Sequence, residues 1–526
     1  MTLTQTEILR TGVAGLDLVL GGGLPRGNVI LIEGEIGTGK TTLGVELVYR
    51  GAKEFGEPGI IVVFEVSPDK LTRDAASLGW DLQELESQGR LKIIFTTREV
   101  FLQELQQADS LLIEEATRIG ARRIFIDGTA GLVPKRGQGS RDAFHVLAQG
   151  LERLNLTAVL ALEPETMRGD TRAPSHEAAI VDTVIRLRVE EHLRASSRSI
   201  EILKSRGHAF LMGRHSFQIE DGKGIQVYRR VQAPRPIDPA RESAYDPTFR
   251  ATTGVPGLDE MVNGGYSPGS TTVVAGISGV GKSVMALHFI AEGVRLGERS
   301  LMLSLDERVP QILRNATSIG IDLQKAIDKG ICRLQYDPPQ EIEIDRHFHN
   351  IEKTIEEFKP RRVVIDSLST YGSSLGTNGR VFRDFFHALV ALMKEHEIAA
   401  VYNNENPEML GMSRMMGNLA MSSLIDNILL LNFVELGDTF RLGLTVAKMR
   451  SNPVNRTTRE CIVVNGEGMR VLPRVLPPVK TAFSGYTGLI SRSPERRAEG
   501  ESPDAGNPPE EAAPPAAEAG AAGAKP

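Results

Sequence analysis

GEIGTGKT at Gly34 to Thr41 and GISGVGKS at Gly276 to Ser283 are two instances of one pattern, G-x-x-x-x-G-K-[ST]. Each follows a short apolar run, Val29 to Ile32 and Thr272 to Ala275, and precedes a helical pattern. The glycines let the backbone turn so that its N–H groups face phosphate oxygens, and the N-terminus of the following helix adds positive dipole. Lys40 and Lys282 would reach the β- and γ-phosphates, while Thr41 and Ser283 would each offer a hydroxyl to Mg²⁺. A chain with 53 glycines can produce one such octapeptide by accident. Two, each in strand-loop-helix context, predict a tandem nucleoside-triphosphate-binding protein.

The rest of the composition agrees with that class and excludes others. A length of 526 residues exceeds what one hydrophobic core supports, so two or three domains are expected. The chain is 41% hydrophobic and 24% charged, and its formal net charge is −6, so no global basic excess points to nucleic acid. Cys332 and Cys461 stand far apart in no metal-ligand spacing, which argues against a disulfide framework or a zinc site and suits a reducing cytoplasm. The opening MTLTQTEILRTG has no signal-peptide pattern, and no apolar run approaches the roughly 18 residues of a transmembrane helix. No membrane association is therefore expected.

The phosphate loops belong to a longer duplication. TGVAGLDLVLGGGLPRG (Thr11 to Gly27) recurs as TGVPGLDEMVNGGYSPG (Thr253 to Gly269), RRIFIDG with Asp127 as RRVVIDS with Asp366, and LKSRG with Lys204 as AKMRS with Lys448, all at a nearly constant separation. A period this long means two whole domains. In the first, strand-like runs at Val29 to Glu33, Ile60 to Glu65, Leu91 to Phe95, Arg123 to Asp127 and Ala158 to Leu162 alternate with helical patterns such as Thr41 to Phe55. That alternation predicts an α/β fold, a mainly parallel twisted sheet flanked by helices, with nucleotide at the C-terminal strand ends. Strand-like stretches at Thr183 to Val189 and Ser199 to Leu203 follow, then a turn-rich piece to about Arg230. The expected organisation is a first domain over 1–230, a linker over 231–248, a second domain over 249–480 and a C-terminal segment over 481–526. Proline and charge mark the linker. The C-terminal segment ends in a Pro/Ala/Glu-rich tail that cannot bury enough surface to fold.

Asp127 and Asp366 end apolar strands behind a phosphate loop, where a carboxylate would hold Mg²⁺-bound water, so Thr41, Asp127, Ser283 and Asp366 are the candidate metal residues. VVFEVSP supplies Glu65 and LSLDERV supplies Asp306 and Glu307; alignment pairs Glu65 with Asp306 and Val66 with Glu307. A carboxylate there could orient or deprotonate the nucleophile, or could simply be a solvated acid at a strand end. Lys204 with Arg206, and Lys448 with Arg450, form K-x-R pairs whose period-2 spacing puts both side chains on one face, suited to a polyphosphate.

With these pieces the chain resembles the two-domain KaiC family of RecA-like ATPases and autokinases, over about residues 8 to 490. The resemblance rests on the TG-x-x-x-LD opening with its glycine turn, both phosphate loops, SLGWD at Ser77 to Asp81 with SIGID at Ser318 to Asp322, both aspartate strands and both K-x-R strands. It implies tandem RecA-like P-loop NTPase domains and a homo-hexameric double ring with ATP at subunit interfaces, the K-x-R pair reaching in from the neighbouring protomer. The implied nucleotide contacts are Gly34, Gly37, Thr38, Gly39, Lys40, Thr41, Thr42, Ser77, Lys204 and Arg206 in the first half. In the second they are Gly276, Gly279, Val280, Gly281, Lys282, Ser283, Ser318, Lys448 and Arg450. The family's kinase activity, placed in the second ring, implies phosphoacceptors at Ser422 and Ser423, in AMSSLIDNILLLNFVE; the first half has Ala178 and Ala179 at the matching place in HEAAIVDTVIRL. Glu307 or Asp306 would accept the serine proton, and Glu65 would orient a water, giving hydrolysis in the first ring.

The chain departs from the family in having Asp306-Glu307 and Ser422-Ser423 where paired glutamates and a Ser-Thr pair are usual, and Val66 beside Glu65 where a second glutamate is usual. TAFSGYTGLISRS only loosely resembles the family's regulatory C-terminal loop, so a KaiA-type activator is not expected; a KaiB-like or two-component signalling partner is left open. Two other classes share these motifs. A RecA-type recombinase or helicase would need clustered Lys/Arg with aromatic stacking groups, against 5% aromatics and one tryptophan here. A nucleotide-gated scaffold would bind ATP with negligible turnover.

Overall fold

The computed structural model describes residues 7–107, 110–129, 138–154, 156–163, 176–192, 195–232, 249–374, 379–405, 423–436, 438–450 and 456–477. The tail expected to be unfolded and most of the linker lie outside these residues, as does Ser422.

Each half is built around its first buried apolar run. In the first half a two-residue ladder, β1 (Ile8–Leu9) with β2 (Leu24–Pro25), precedes β3 (Val29–Gly34), every residue of which is buried. A strand apolar on both faces needs helices on both faces. The helices are α1 (Leu16–Val19), α2 (Lys40–Glu54), α3 (Pro68–Ser77), α4 (Leu82–Ser87), α5 (Arg98–Gln106), α6 (Leu111–Ile119), α7 (Gln138–Arg153) and α8 (His176–Ile180). The strands between and after them are β4 (Gly59–Val63), β5 (Leu91–Phe95), β6 (Arg123–Ile126), β7 (Thr157–Leu162), β8 (Thr183–His192), β9 (Ala195–Ser205), β10 (Arg214–Glu220) and β11 (Gly224–Tyr228). The sheet order is β11-β10-β9-β8-β3-β7-β6-β4-β5. Pairing is parallel from β5 to β8 and antiparallel from β8 to β11. The stretch expected to be turn-rich up to Arg230 is thus a hairpin: Phe217, Ile225 and Val227 alternate inward and are buried, a period-2 pattern that the glycines around them obscure.

The second half repeats this plan with β12 (Thr271–Gly276), β13 (Ser300–Ser304), β14 (Cys332–Tyr336), β15 (Arg362–Asp366), β16 (Ala399–Glu405), β17 (Asn427–Leu436), β18 (Thr439–Met449), β19 (Arg459–Val464) and β20 (Gly468–Val475). The order is β14-β13-β15-β16-β12-β17-β18-β19-β20. Its helices are α9 (Lys282–Arg295), α10 (Val309–Ser318), α11 (Gln324–Asp328), α12 (Ile344–Phe358), α13 (Leu368–Ser374) and α14 (Gly379–Glu395). Both sheets are therefore mixed, with the parallel strands on the side that carries the phosphate loop.

Two packing devices fix the phosphate-loop helix on its sheet. In the first half a Cβ on Gly44 would lie 2.0 Å from the Phe125 ring, so α2 can sit this close to β6 only without a side chain there. The duplicate positions are Ala286 and Val364, both buried, which exchange a small–large pair for two medium side chains. At the opposite strand ends, buried Arg123 donates from Nε to Glu57 (2.8 Å), from Nη1 to Leu47 O (2.8 Å) and from Nη2 to Arg10 O (2.8 Å). Arg362 does the same work against Glu298 (2.5 Å) and the carbonyls of Thr252 (2.5 Å) and Phe289 (3.3 Å). One guanidinium thus ties opening segment, helix and sheet together.

The halves meet where the first half's hairpin abuts α12. The Asp345 carboxylate, 8% exposed, accepts from Val231 N (2.9 Å) and Ser216 N (3.3 Å), and Arg346 donates to Gln218 Oε1 (2.9 Å). Val231, expected to open a free linker, is therefore anchored.

Removing one partner of a buried, hydrogen-bonded ion pair costs about 3–5 kcal/mol. Arg123→Ala is expected to destabilise the first half by that amount. The sole tryptophan, Trp80, is buried in that half against Tyr49 (5.8 Å between ring centroids), so the loss should read as a lower urea midpoint in its fluorescence.

Candidate functional site

Both phosphate loops close the C-terminal ends of their central strands. Gly39 (φ 101°) and Gly281 (φ 89°) take the left-handed turn that opens α2 and α9, a conformation side-chain-bearing residues rarely adopt. A Cβ on Gly37 or Gly279 would meet nothing within 4 Å, leaving that side of each loop open to a ligand. Thr38 turns inward, donating to Glu35 O (2.8 Å), where the second loop has buried Val280; Thr42 is half-buried in the first turn of α2. Lys40 donates to the carbonyls of Gly34 (2.8 Å) and Glu35 (2.7 Å), and Lys282 to those of Gly276 (2.9 Å) and Ile277 (2.8 Å). Burial lowers both lysine pKa values, opposed by Glu163 and Asp127 at Lys40 and by Glu405 and Asp366 at Lys282. Phosphate oxygens would replace neutral carbonyls with full negative charge at these ammonium groups.

Beside each loop the metal candidates touch in pairs. Thr41 Oγ1 donates to Asp127 Oδ2 (2.9 Å) and Ser283 Oγ to Asp366 Oδ2 (2.8 Å). A hydroxyl and a carboxylate next to a phosphate cradle form an all-oxygen donor set that fits Mg²⁺, a cation that takes few protein ligands and completes its shell with phosphate and water. Burial raises both aspartate pKa values; Thr41 and then Lys40 oppose the rise at Asp127, Ser283 and then Asn403 at Asp366. Among the described residues no cluster of three His, Cys, Asp or Glu side chains offers a metal site independent of nucleotide.

The strand-end acids are held differently in the two halves. Glu65, 72% exposed, pairs with Arg98, whose Nε also donates to Gly128 O (3.2 Å). Asp306 accepts from Thr370 Oγ1 (2.7 Å), and Glu307 from Asn315 Nδ2 (2.9 Å). Burial, and then the charge of Asp366, pushes the Glu307 carboxyl up.

The K-x-R pairs lie elsewhere. Lys204 donates to the carbonyls of Ala178 (3.1 Å), Ala179 (3.2 Å) and Val181 (2.6 Å); Arg206 reaches Asp182 Oδ1 (3.4 Å) and Ala179 O (3.1 Å). In the second half Lys448 donates to Ile425 O (2.7 Å), and Arg450 to Asp426 Oδ1 (3.1 Å) and Ser423 O (2.7 Å). Asp182 and Asp426 accept from the first residues of β3 and β12, Val29 N and Thr271 N, each at 3.0 Å. These groups therefore sit at the N-terminal edge of each sheet. β3 spans six residues, about 17 Å at the usual strand rise, so within one chain the K-x-R pair and exposed Ser423 stand a full strand length from the phosphate loop. Ser77 and Ser318 donate to the carbonyls of Asp74 and Asn315, both at 2.7 Å, and among the described residues no hydrogen bond joins either to a phosphate loop.

Sequence reading missed Arg98, Thr370, Glu163 and Glu405. The last two stand at matching places, each just past or at the end of an equivalent strand, so the duplication itself could have found them. Arg98 aligns with Pro339 and carried no repeat signal.

A protein-family profile described as "ATPase: KaiC" matches residues 9–232 and again 251–475. The circadian clock oscillator protein KaiC of Prochlorococcus marinus (strain MIT 9313) is 31% identical over 501 residues, covering 94% of this chain and 96% of that protein. That of Parasynechococcus marenigrum (strain WH8102) is 32% identical over 504 residues, covering 94% of each. Circadian clock oscillator protein KaiC 1 of Synechocystis sp. is 31% identical over 497 residues, covering 93% of this chain and 92% of that protein.

A protonated carboxyl does not bind Mg²⁺. Because Asp127 and Asp366 titrate above the ordinary aspartate value of about 3.9, the magnesium-dependent part of nucleotide affinity should fall as pH is lowered through their raised range. Titration of a fluorescent ATP analogue with Mg²⁺ and with EDTA across pH 4 to 8 checks this, the EDTA series lacking that limb.

Proposed function

The chain belongs to the KaiC family of RecA-like ATPases, and from that premise we propose that its two halves divide one nucleotide chemistry: ATP hydrolysis in the first, transfer of the γ-phosphate to Ser422 and Ser423 in the second. ATP binding, ATPase activity and autokinase activity come with the family. The division is carried by one comparison. Arg206 holds Ala179 O and Arg450 holds Ser423 O, so the two segments occupy equivalent places, one offering a methyl and the other a hydroxyl.

The distance between the sheet edges supports transfer between copies. Ser423 and the K-x-R pair at one edge would face the phosphate loop of an adjoining protomer, in a homo-hexameric ring. The loop glycines and Lys282 would hold the triphosphate of one protomer, with Ser283 and Asp366 beside it for magnesium; Lys448 and Arg450 would approach it from the next. Glu307, with its raised pKa, accepts the proton at neutral pH while the serine oxygen bonds to the γ-phosphorus and the β–γ bridging bond breaks, releasing ADP. Asp306 stands beside it as the second acid. In the first half Glu65 orients water for the same displacement. Thr41 with Asp127, and Ser283 with Asp366, would hold magnesium, which would supply positive charge beside the phosphates. Cys332 and Cys461, buried and free, suit a reducing cytoplasm. A KaiB-like or two-component signalling partner is the corresponding proposal for regulation, resting on the family assignment alone.

Phosphopeptide mapping after incubation with Mg²⁺-ATP is expected to find phosphate on Ser422 or Ser423 in the wild type and none in Lys282→Ala. Rings mixed from Lys282→Ala chains and Ser422→Ala/Ser423→Ala chains should regain phosphate on the serines of the former. Full phosphorylation of Lys282→Ala alone would remove the kinase from the second half.

A further inference from the structure

The duplication isolates one charged group that only the first half has. Strands β5 and β14 are aligned by their pairing, Val63 with Phe95 and Ser304 with Tyr336, and three residues beyond them stand Arg98 and Pro339. Both strand-end acids have partners, but Asp306 is held by a neutral hydroxyl and Glu65 by a guanidinium. Arg98 is the first residue of α5, capped by Thr97, and its guanidinium lies over the Phe64 ring (5.4 Å to the centroid). Its Nε is spent on Gly128 O (3.2 Å), directly after the metal aspartate Asp127, and its Nη2 on Glu65. Nη1 makes no hydrogen bond among the described residues. The group is thus aimed by the backbone on one side and has an open donor edge, between the acid that would orient water and the residue next to the one that would hold Mg²⁺.

We propose that Arg98 is a catalytic residue of the first site, supplied in cis, which binds the terminal phosphate of ATP in its own protomer and carries charge that develops there during hydrolysis. The inference rests on the assignment of hydrolysis to the first half. Glu65 is largely exposed, and an ion pair of that kind is worth about 0–1 kcal/mol, so a γ-phosphate bearing more charge displaces the carboxylate without large cost. The exchange also frees Glu65 to accept a hydrogen bond from water. Water oxygen bonds to the γ-phosphorus, the β–γ bridging bond breaks, the proton passes through Glu65 to solvent, and ADP and phosphate leave. Planar guanidinium donors match phosphate oxygens, and an arginine placed on a transferring phosphoryl group contributes about 10³–10⁵ in rate where it has been measured. A partly exposed arginine that remains tethered to Gly128 should contribute less, about 10–100-fold. The second half has Pro339 at this place, and its strand-end acids, held by Thr370 and Asn315, are left for a protein hydroxyl.

The test is phosphate release in the full chain carrying Lys282→Ala, so that only the first site turns over. Arg98→Ala is expected to lower kcat about 10–100-fold with less than threefold change in KM, Arg98→Lys to restore part of the rate, and added guanidinium chloride at millimolar concentration to raise the Arg98→Ala rate and not the parent rate. Light scattering confirms that the variants keep the parent's assembly. An unchanged or faster Arg98→Ala enzyme overturns the proposal, as does a slow one that neither lysine nor guanidinium improves, since that is the pattern of a purely structural contact. A Lys282→Ala parent that hydrolyses no ATP overturns the assignment of hydrolysis to the first half, and this proposal with it.

Discussion

The length of one buried β-strand governs this molecule. β3 and β12 are central parallel strands, and a parallel strand has two chemically different ends. At the C-terminal end the chain turns through glycines into α2 or α9, which gathers backbone N–H groups, a lysine and a hydroxyl in one short loop. At the N-terminal end an aspartate bonds the first N–H of the strand and gathers the K-x-R pair around it. About 17 Å of hydrogen-bonded backbone, buried on both faces, cannot be shortened to bring the ends together. Within one chain, the K-x-R pair therefore stays a strand length away from the phosphate loop of its own half.

The electrostatics follow from burial at the first end. Asp127 and Asp366 are pushed toward neutrality and Lys40 and Lys282 toward losing their protons, both because the site is poorly solvated. The hydrogen-bond partners of these charges are neutral groups: carbonyls for the lysines, hydroxyls for the aspartates. A magnesium–triphosphate complex would offer full countercharge to both at once. That explains why a loop of glycines, one lysine and one hydroxyl, repeated in sequence, reads so directly as a nucleotide site.

What could be read from the sequence was whatever the chain states twice. The phosphate loops, the aspartate strands and the K-x-R strands each recur, and the second copy serves as the control that a single copy lacks. The hairpin β10–β11 reads as turns in the sequence because Gly213, Gly222 and Gly224 outweigh its alternating apolar residues. Contacts across the fold had no local signature. Nothing near Arg98 announces that it will meet Glu65, 33 positions earlier, and nothing near Asp345 announces that it will accept from Ser216 and Val231 in the other half. In each K-x-R pair the lysine lies at the end of a strand and the arginine stands just past it, and their hold on the 178–182 and 423–426 backbones depends on loop closure that spacing does not encode.

The Gly44–Phe125 contact and its counterpart, Ala286 with Val364, solve one space-filling problem twice with the volume distributed differently. Each solution is complete only as a pair, since helix and strand supply one member each. A chimera that moves the first strand under the second helix would press Phe125 into Ala286 and overfill the joint. The reverse graft would set Gly44 over Val364 and leave a void. The two copies thus carry incompatible packing at this joint, where helix and strand can be exchanged only together.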